Sequence, residues 1–218
     1  MQNAKLLVIT LVLTLAFVFG FSWIAQKWLE PSSTGSQYSK TATSEELLTA
    51  TPHSIGAGPD APYTIVEFSD FICPACGSVS PTLQALVDTY PDKVRLVYRH
   101  FPLTNIHPAA SILAEISEAA DDQGKFWEMH DFIFAHQQSD LENMSPEEAT
   151  QFIQDHADEI GVNWEQIQQD LDSGEPAKRV EEDRRQAELL QLNFTPSIFL
   201  NGQLMPIDQV QSTIKAGQ

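Results

Sequence analysis

The chain has 218 residues, of which 42% are hydrophobic and 19% charged, so it is long enough for one domain with a substantial core. Its formal net charge is -18, because 30 acidic residues face only 12 basic ones. This balance argues against nucleic acid as a partner and against binding to an anionic membrane surface, since both require basic residues. It is typical of a solvated surface that keeps a protein soluble, the alternative being a cation site or a basic partner.

The first thirty residues have the composition of a membrane segment. Leu6 to Ile24 carries no charge, and as a helix this run would span roughly 28 Å, close to the thickness of the bilayer hydrocarbon. A cleavable signal would have a shorter apolar run and a site of small residues, which the residues after Ile24 do not offer. We predict a single-pass anchor over 1–30, with a cleaved signal as the alternative, and the rest of the chain outside the cytoplasm. The segment 31–59 is rich in Ser, Thr, Gly and Pro, which predicts a flexible linker.

Two strands flank the next predicted helix. Tyr63–Phe68 is a run of apolar, β-branched and aromatic residues, which predicts a buried strand. Apolar residues then recur at helical spacing from Val79 to Tyr90, and Lys93–His100 alternates as a second strand. A strand, a helix and a strand in this order predict a βαβ unit whose strands are parallel.

A helical pattern follows from His107 to about Leu192 and predicts an all-helical insertion over about 105–192. One of its helices is expected to begin at Ser145, since serine followed by proline and two glutamates is typical of a helix N-terminus. The acidic run Glu181–Asp183 is expected to form a solvated helix face.

The strand pattern returns near the C-terminus. Ser197–Leu200 is predicted as a strand, Asn201-Gly202 as a hairpin turn and Gln203–Ile207 as the partner strand. Asp208–Ala216 is predicted as a closing helix. The domain over 60–218 is therefore expected to be an α/β sheet that is interrupted by a helical insertion.

Cys73 and Cys76 are the only cysteines of the chain, and they lie between the first strand and its helix. A disulfide between residues so close would restrict the unfolded chain little, which argues against a structural role. A zinc site would need about four ligands, but there is no second Cys-x-x-Cys and the six histidines are scattered. His130 and His136, for example, are expected to be surface or packing residues, and we predict no metal.

The position of the pair favours redox chemistry. A thiolate at a helix N-terminus is stabilised by unpaired backbone N–H groups and by the helix dipole, which lower its pKa. We predict that Cys73 at the exposed end attacks, and that Cys76, one turn into the helix, resolves the mixed disulfide. Pro74 fits the first helical position and keeps the two cysteines close. A location outside the cytoplasm would also allow disulfides to persist.

From about Tyr63 to the C-terminus the chain resembles the membrane-tethered DsbA-type thiol–disulfide oxidoreductases of bacteria. The resemblance implies a thioredoxin-like α/β fold interrupted by an all-helical insertion, and a redox enzyme with no cofactor. Its implied partners are reduced or misoxidised exported proteins and a membrane quinone-linked thiol oxidase that recharges the pair. The motifs that carry the resemblance are, in order, VEFSDFICPACG, YRHFPL, HPAA, QGKFWEMHDFIF and TPSIFLNG.

The resemblance assigns roles to three further residues. Thr195-Pro196 matches a Thr-Pro whose proline is cis and faces the cysteines, where a substrate strand can pair with the backbone. A plain strand-entry proline is the alternative. Glu67 matches a buried acid behind the active site, with a raised pKa, that exchanges a proton with Cys76. The alternative for Glu67 is a strand residue at the sheet edge.

Two positions depart from the family pattern. Ala75 stands where strongly oxidising members carry histidine, so it offers Cys73 no charge or side-chain donor, and we expect a less oxidising protein. Phe194 stands where glycine is common and is expected to narrow the substrate groove. Arg99, His100 and Trp127 also fall in family motifs, but core packing and surface pairing explain them more simply.

The predicted function is therefore thiol–disulfide exchange outside the cytoplasm through the pair Cys73 and Cys76. Formation of disulfides in exported proteins is the favoured direction. The alternatives are a reductase or isomerase of thioredoxin type, and a tethered peptide-binding or chaperone module whose thiols are incidental.

Overall fold

The computed structural model describes residues 38–48 and 52–217. The anchor predicted over 1–30 lies outside these residues, and among the described helices none is long and apolar enough to cross a membrane. The elements are, in chain order, α1 (Ser44–Leu47), β1 (His53–Gly56), β2 (Tyr63–Ser69), α2 (Pro74–Thr89), β3 (Val94–His100), α3 (Ala110–Asp121), α4 (Phe126–His136), a π-helical turn (Gln137–Leu141), α5 (Pro146–Asp155), α6 (Ala157–Ile160), α7 (Trp164–Ser173), α8 (Glu175–Leu189), β4 (Ser197–Leu200), β5 (Gln203–Leu204) and α9 (Ile207–Ala216).

The strands form one sheet in the order β1-β3-β2-β4-β5. β2 and β3 are parallel, as predicted, with Tyr63 opposite Val94 and Ser69 opposite His100. β4 runs antiparallel to β2, and β5 antiparallel to β4. β2 is thus a central strand, and the cysteine motif follows directly from its carboxyl end.

The prediction of a flexible linker over 31–59 is wrong for residues 44–47 and 53–56, which form a helix and a strand. α1 begins with a capping box between Thr43 and Glu46, and β1 pairs with the edge of β3 in antiparallel register. Gly56 at the end of β1 has φ +84°, and a Cβ there would lie 2.3 Å from the Val94 carbonyl oxygen. β1 is short and polar, so its strand conformation depends on β3 rather than on an apolar pattern of its own.

Two apolar layers cover the sheet and a third fills the insertion. α2 and α9 pack on one face through residues such as Leu83, Leu86 and Val210, whereas Ala187 of α8 packs on the other. The core of the insertion extends to Phe71 and Ile72, so the loop before the cysteines is buried by the helical insertion. The main buried members of that third core are Leu113, Ile116, Met129, Ile133, Ile153 and Ile167.

The insertion is helical throughout its described elements, from α3 to α8, as predicted. Ser145 caps α5 in a capping box with Glu148, which confirms the predicted helix start. The predicted partner strand of the hairpin is shorter than expected, because only Gln203–Leu204 pairs with β4.

The expectation of a solvated acidic face on α8 is wrong for Asp183, which is buried. Arg99 Nε lies 2.6 Å from Asp183 Oδ1, and the His100 backbone N–H donates to Asp183 Oδ2 at 2.8 Å. Arg99 and His100 are therefore buried as well, and Arg99 forms its ion pair inside the protein. Asp183 faces the sheet because α8 lies against β3, whereas Glu181 remains exposed.

Candidate active site

A turn held by Asp70 carries the chain from β2 into the cysteine motif. The Ile72 backbone N–H donates to Asp70 Oδ1 at 2.7 Å. The other oxygen, Oδ2, accepts from the Leu103 N–H at 2.7 Å and lies 2.8 Å from His107 Nδ1. This buried carboxylate ties the motif to the loop after β3, a role that depends on groups distant in sequence.

Cys73 is the N-cap residue of α2 and Pro74 occupies the first helical position. The Cys73 side chain is 8% exposed, whereas Cys76 is fully buried one turn later. Cys73 is thus less exposed than the sequence suggested, but it is the outer sulfur of the two. Both cysteines are free thiols in the structure.

The environment shifts the pKa values of the two thiols in opposite directions. A hydrogen bond from Cys76 is the main cause that lowers the pKa of Cys73 to about 5, against the effect of burial. Thr195 and the backbone N–H groups of Cys76 and Ala75 lower it further. Burial, followed by the hydrogen bond to Cys73 and the charge of Glu67, raises the pKa of Cys76 well above its usual value. At neutral pH Cys73 is therefore a thiolate, and Cys76 is a thiol.

Glu67 of β2 is the buried acid behind this pair. Its side chain is 1% exposed, and burial raises its pKa to about 7, although the hydrogen bond that Ser69 Oγ donates at 2.9 Å opposes the shift. A carboxyl group that titrates near pH 7 can both accept and return a proton at that pH. Tyr98 lies opposite Glu67 in the sheet, and its buried hydroxyl has no hydrogen-bond partner among the described residues.

The peptide bond between Thr195 and Pro196 is cis, as the resemblance implies. Cys73 Sγ lies 3.5 Å from the Thr195 carbonyl oxygen, which brings the loop before β4 onto the reactive thiol. A cavity of about 280 Å³ opens beside this contact, and no charged side chain from residues 38–48 or 52–217 lines it. Its lining is Tyr38, Ala75, Val79, Phe194, Thr195, Pro196, Ile198, Met205, Pro206 and Ile207.

The described domain matches a family model for thioredoxin over residues 48–216. The chain belongs to the thioredoxin family. A low-pKa thiolate, its buried partner thiol and the facing cis-proline are the arrangement that thiol–disulfide exchange requires. The thioredoxin-like fold with a helical insertion is thereby confirmed.

Solved structures of this thioredoxin-family fold include a thioredoxin-like oxidoreductase from Silicibacter pomeroyi, which is 28% identical with a TM-score of 0.65 and covers 81% of this chain and 98% of its own. The oxidised form of BdbD from Bacillus subtilis is 22% identical with a TM-score of 0.64, covering 82% and 96%. DsbA2 from Pseudomonas aeruginosa is 24% identical with a TM-score of 0.60, covering 78% and 97%.

Among curated proteins, this thioredoxin-family chain is similar to the Na(+)/H(+) antiporter NhaA 3 of Salinispora tropica, with 38% identity over 143 residues. It is 40% identical over 146 residues to NhaA 1 of Mycolicibacterium gilvum. Each match covers 66% of this chain but only 21% or 22% of the relative. The chain thus spans about a fifth of the length of these relatives.

The thioredoxin-family site also depends on Gln137, which the sequence analysis missed. Gln137 Nε2 donates to the Phe71 carbonyl at 2.7 Å and to the Cys73 carbonyl at 2.9 Å. A Cβ on Gly77 would lie 2.3 Å from Gln137 Oε1, so the amide packs against the first turn of α2. The sequence offered one signal, which is the position of this glutamine directly after the apolar helix Phe126–His136. If it were buried there, its amide would require hydrogen-bond partners.

A second buried polar cluster joins β1, β3 and the insertion. Glu118 Oε1 lies 2.8 Å from His53 Nε2 and 3.2 Å from His100 Nε2, and these three residues bring possible metal-ligand atoms within 4.8 Å of one another. Arg179 Nε donates to the other carboxylate oxygen at 2.6 Å. Arg179 therefore supplies the positive charge that this buried carboxylate requires. His53 and His100 thus pack against aromatic rings, as expected, and also contact a buried carboxylate.

Proposed function

We propose that this oxidoreductase forms disulfides in reduced exported proteins, outside the cytoplasm, through Cys73 and Cys76. The observation that carries the proposal is the difference in acidity between the two sulfurs. A stable Cys73 thiolate favours the reduced dithiol, so the oxidised form gives its disulfide away readily. The Thr195 carbonyl beside Cys73 lies where a substrate backbone would have to approach the disulfide.

The reaction proceeds in two exchanges. A substrate thiolate attacks Cys73 Sγ, the Cys73–Cys76 bond breaks, and the Cys76 thiolate takes a proton from Glu67. A second substrate thiolate then attacks the substrate sulfur of the mixed disulfide and releases the Cys73 thiolate, a good leaving group because of its low pKa. The substrate loses two electrons and two protons. The electrons reduce the enzyme disulfide to the Cys73 thiolate and the Cys76 thiol, one proton replaces the one that Glu67 gave to Cys76, and the other goes to the solvent. A membrane quinone-linked thiol oxidase would reverse the change in the enzyme.

Ala75 bears on the direction of the reaction. Its exposed methyl group gives Cys73 no side-chain donor, so the thiolate depends on the Cys76 thiol and on backbone N–H groups. We propose a reduction potential between that of DsbA, near -120 mV, and that of thioredoxin, near -270 mV.

The test is equilibration of the Cys73–Cys76 pair with glutathione, together with oxidation of a reduced unfolded protein. Formation of the substrate disulfide at a potential well above -270 mV would support an oxidase. A potential close to that of thioredoxin would favour the reductase or isomerase. Full activity in Cys73→Ser would contradict the enzyme and leave the chaperone module.

The location is a separate proposal. The uncharged run from Leu6 to Ile24 supports a membrane anchor, and the matched relatives are named as antiporters, which are membrane proteins. Expression in a bacterium followed by alkaline extraction tests it. We expect the full chain to stay with the membrane and a chain that lacks 1–30 to be released. Release of both would contradict the anchor.

A further inference from the structure

The described residues before α1 form an arm, residues 38–42, along the edge of the sheet. Thr41 bridges to Gln203 of β5. The Leu204 N–H donates to the Lys40 carbonyl at 2.9 Å, and the Ala42 N–H donates to the Gly202 carbonyl at 2.8 Å. A segment predicted as part of a linker thus pairs with an edge strand.

Side chains hold the arm at a second place. Lys40 Nζ donates to the Leu190 carbonyl and, at 3.1 Å, to the Gln191 carbonyl. These carbonyls follow the C-terminus of α8, where the helix dipole favours a cation. The arm is therefore attached both to the sheet edge and to the insertion.

This attachment places Tyr38 beside the active site. The Tyr38 ring meets the Phe194 ring edge-on, with centroids 6.0 Å apart and an angle of 74° between the planes. Phe194 directly precedes the Thr195–Pro196 bond, and both aromatic rings line the cavity beside Cys73. Ala75 lines the same cavity with a small side chain.

We propose that the arm is a specificity element, in which Tyr38 with Phe194 determines which substrate side chain is accepted beside the reacting cysteine. The favoured class is an aromatic or large aliphatic side chain on an extended peptide, because the lining is apolar and uncharged. An aspartate would lose its hydration there without gaining a partner, and the chain itself is strongly acidic. The inference rests on the proposed exchange with unfolded polypeptides and names their chemistry.

The test uses two-cysteine peptides that differ only in the residue before the first cysteine, which is Phe, Leu, Ser or Asp. We measure kcat/KM for oxidation of the dithiol peptides by the oxidised full chain, and for reduction of the disulfide peptides by the reduced chain. Each value is divided by the rate with dithiothreitol for the oxidised chain, or with oxidised dithiothreitol for the reduced chain, since both are too small to fill the cavity. We expect wild type to prefer Phe over Ser by about tenfold, the scale of discrimination in apolar pockets.

Tyr38→Ala and Phe194→Ala are expected to reduce this preference to about threefold or less, whereas Tyr38→Phe keeps it because the ring remains. Lys40→Ala removes the attachment of the arm to the insertion but leaves its backbone pairing with β5, so it should lower the preference less than Tyr38→Ala does. Lys178→Ala is the matched control, since within the described part of the chain Lys178 forms an exposed ion pair with Glu175 on α8 and contacts no arm residue.

Equal rates with the Phe and Ser peptides in wild type would overturn the inference, as would a full preference in folded Tyr38→Ala and Lys40→Ala. Failure of the proposed oxidase gives a different result. The reduced chain would then act on the disulfide peptides while the oxidised chain left the dithiol peptides unchanged, and the Phe preference would still be measurable.

Discussion

The thiols of Cys73 and Cys76 lie within one helical turn, but the pKa of Cys73 is lowered and that of the more deeply buried Cys76 is raised. The acidity of Cys73 can be measured through the absorbance of its thiolate at 240 nm. We expect the reduced chain to titrate with a midpoint near pH 5, since the pKa of Cys73 is lowered to about 5 chiefly by the Cys76 thiol. Cys76→Ala should raise the midpoint because that donor is lost. A wild-type midpoint above pH 8, as in a free thiol, would contradict the site described above.

Burial raises the pKa of Glu67 to about 7, which is close to physiological pH. Attack by Cys76 on a mixed disulfide requires loss of its proton, so the resolving rate in wild type should rise as pH increases through 7. Glu67→Gln is expected to remove that rise and to slow resolution by about tenfold or more. Stopped-flow measurement of mixed-disulfide decay checks this. Glu128→Gln, at an exposed carboxylate, is the matched control, and identical profiles for all three proteins would make Glu67 structural only.

Gln137 is expected to be important for stability as well as for geometry. Gln137→Leu keeps a similar volume but removes the donor to the Phe71 and Cys73 carbonyls. The Cys73 carbonyl still accepts from the Cys76 and Gly77 N–H groups. Loss of the Gln137 donor at the buried Phe71 carbonyl costs about 1–3 kcal/mol, so the free energy of unfolding in urea should fall by this amount. The neighbouring exposed Gln138→Leu should change it by less than about 0.5 kcal/mol. Equal stability of the two variants would exclude the role assigned to Gln137.

At the scale of elements, the helices and strands that could be predicted are those whose own residues show an apolar periodicity. β2, α2 and β4 are apolar with clear periods, and the motif letters located the cysteines and Thr195-Pro196. β1 was missed because its four residues form a strand only against β3. Asp183 was misassigned because an acidic run looks solvated until Arg99 on a distant strand is known. Asp70 and Gln137 were missed as site residues for the same reason, since each acts on backbone groups far along the chain.

The cluster that joins β1, β3, α3 and α8 should make stability depend on pH. Burial alone would lower the pKa of His53, but hydrogen bonds to Asp121 and Glu118 raise it to about 9. The folded state therefore binds this proton more tightly than the unfolded state, whose histidine titrates near 6.5. The stabilisation is complete below pH 6.5 and is lost as pH rises through 9. The loss is at most about 3 kcal/mol.

Urea unfolding of the oxidised chain between pH 6.5 and 9.5 tests this dependence. The oxidised form is used because the titration of Cys73 would otherwise oppose the effect. His53 faces Glu118, Asp121 and, through Glu118, the cation of Arg179. His53→Gln should flatten the profile, whereas Gln138→Leu, which removes no titratable group, should leave its slope unchanged. A wild-type profile that is already flat would rule out a charged His53 in the folded protein.

At the scale of the whole molecule, the net charge of -18 acts on every encounter with a substrate. The field attracts basic polypeptides and repels acidic ones, and salt screens it over about 10 Å at 0.1 M ionic strength. The charged surface thus complements the uncharged cavity beside Cys73. Under the proposed function, the surface would select polypeptides by their charge during approach, and the cavity would select the side chain next to the cysteine after contact.

This division predicts opposite salt dependences for peptides that share one cysteine motif. With lysine-rich flanks, kcat/KM should fall about three- to tenfold between 20 and 500 mM NaCl, and with glutamate-rich flanks it should rise, because screening removes attraction in one case and repulsion in the other. The preference for Phe before the cysteine should not change with salt, since the cavity lining carries no charge. Dithiothreitol, which has no flanks, controls for effects on the thiols themselves. Parallel salt profiles for the two flanks would show that the acidic surface lies too far from the path of the substrate to guide it.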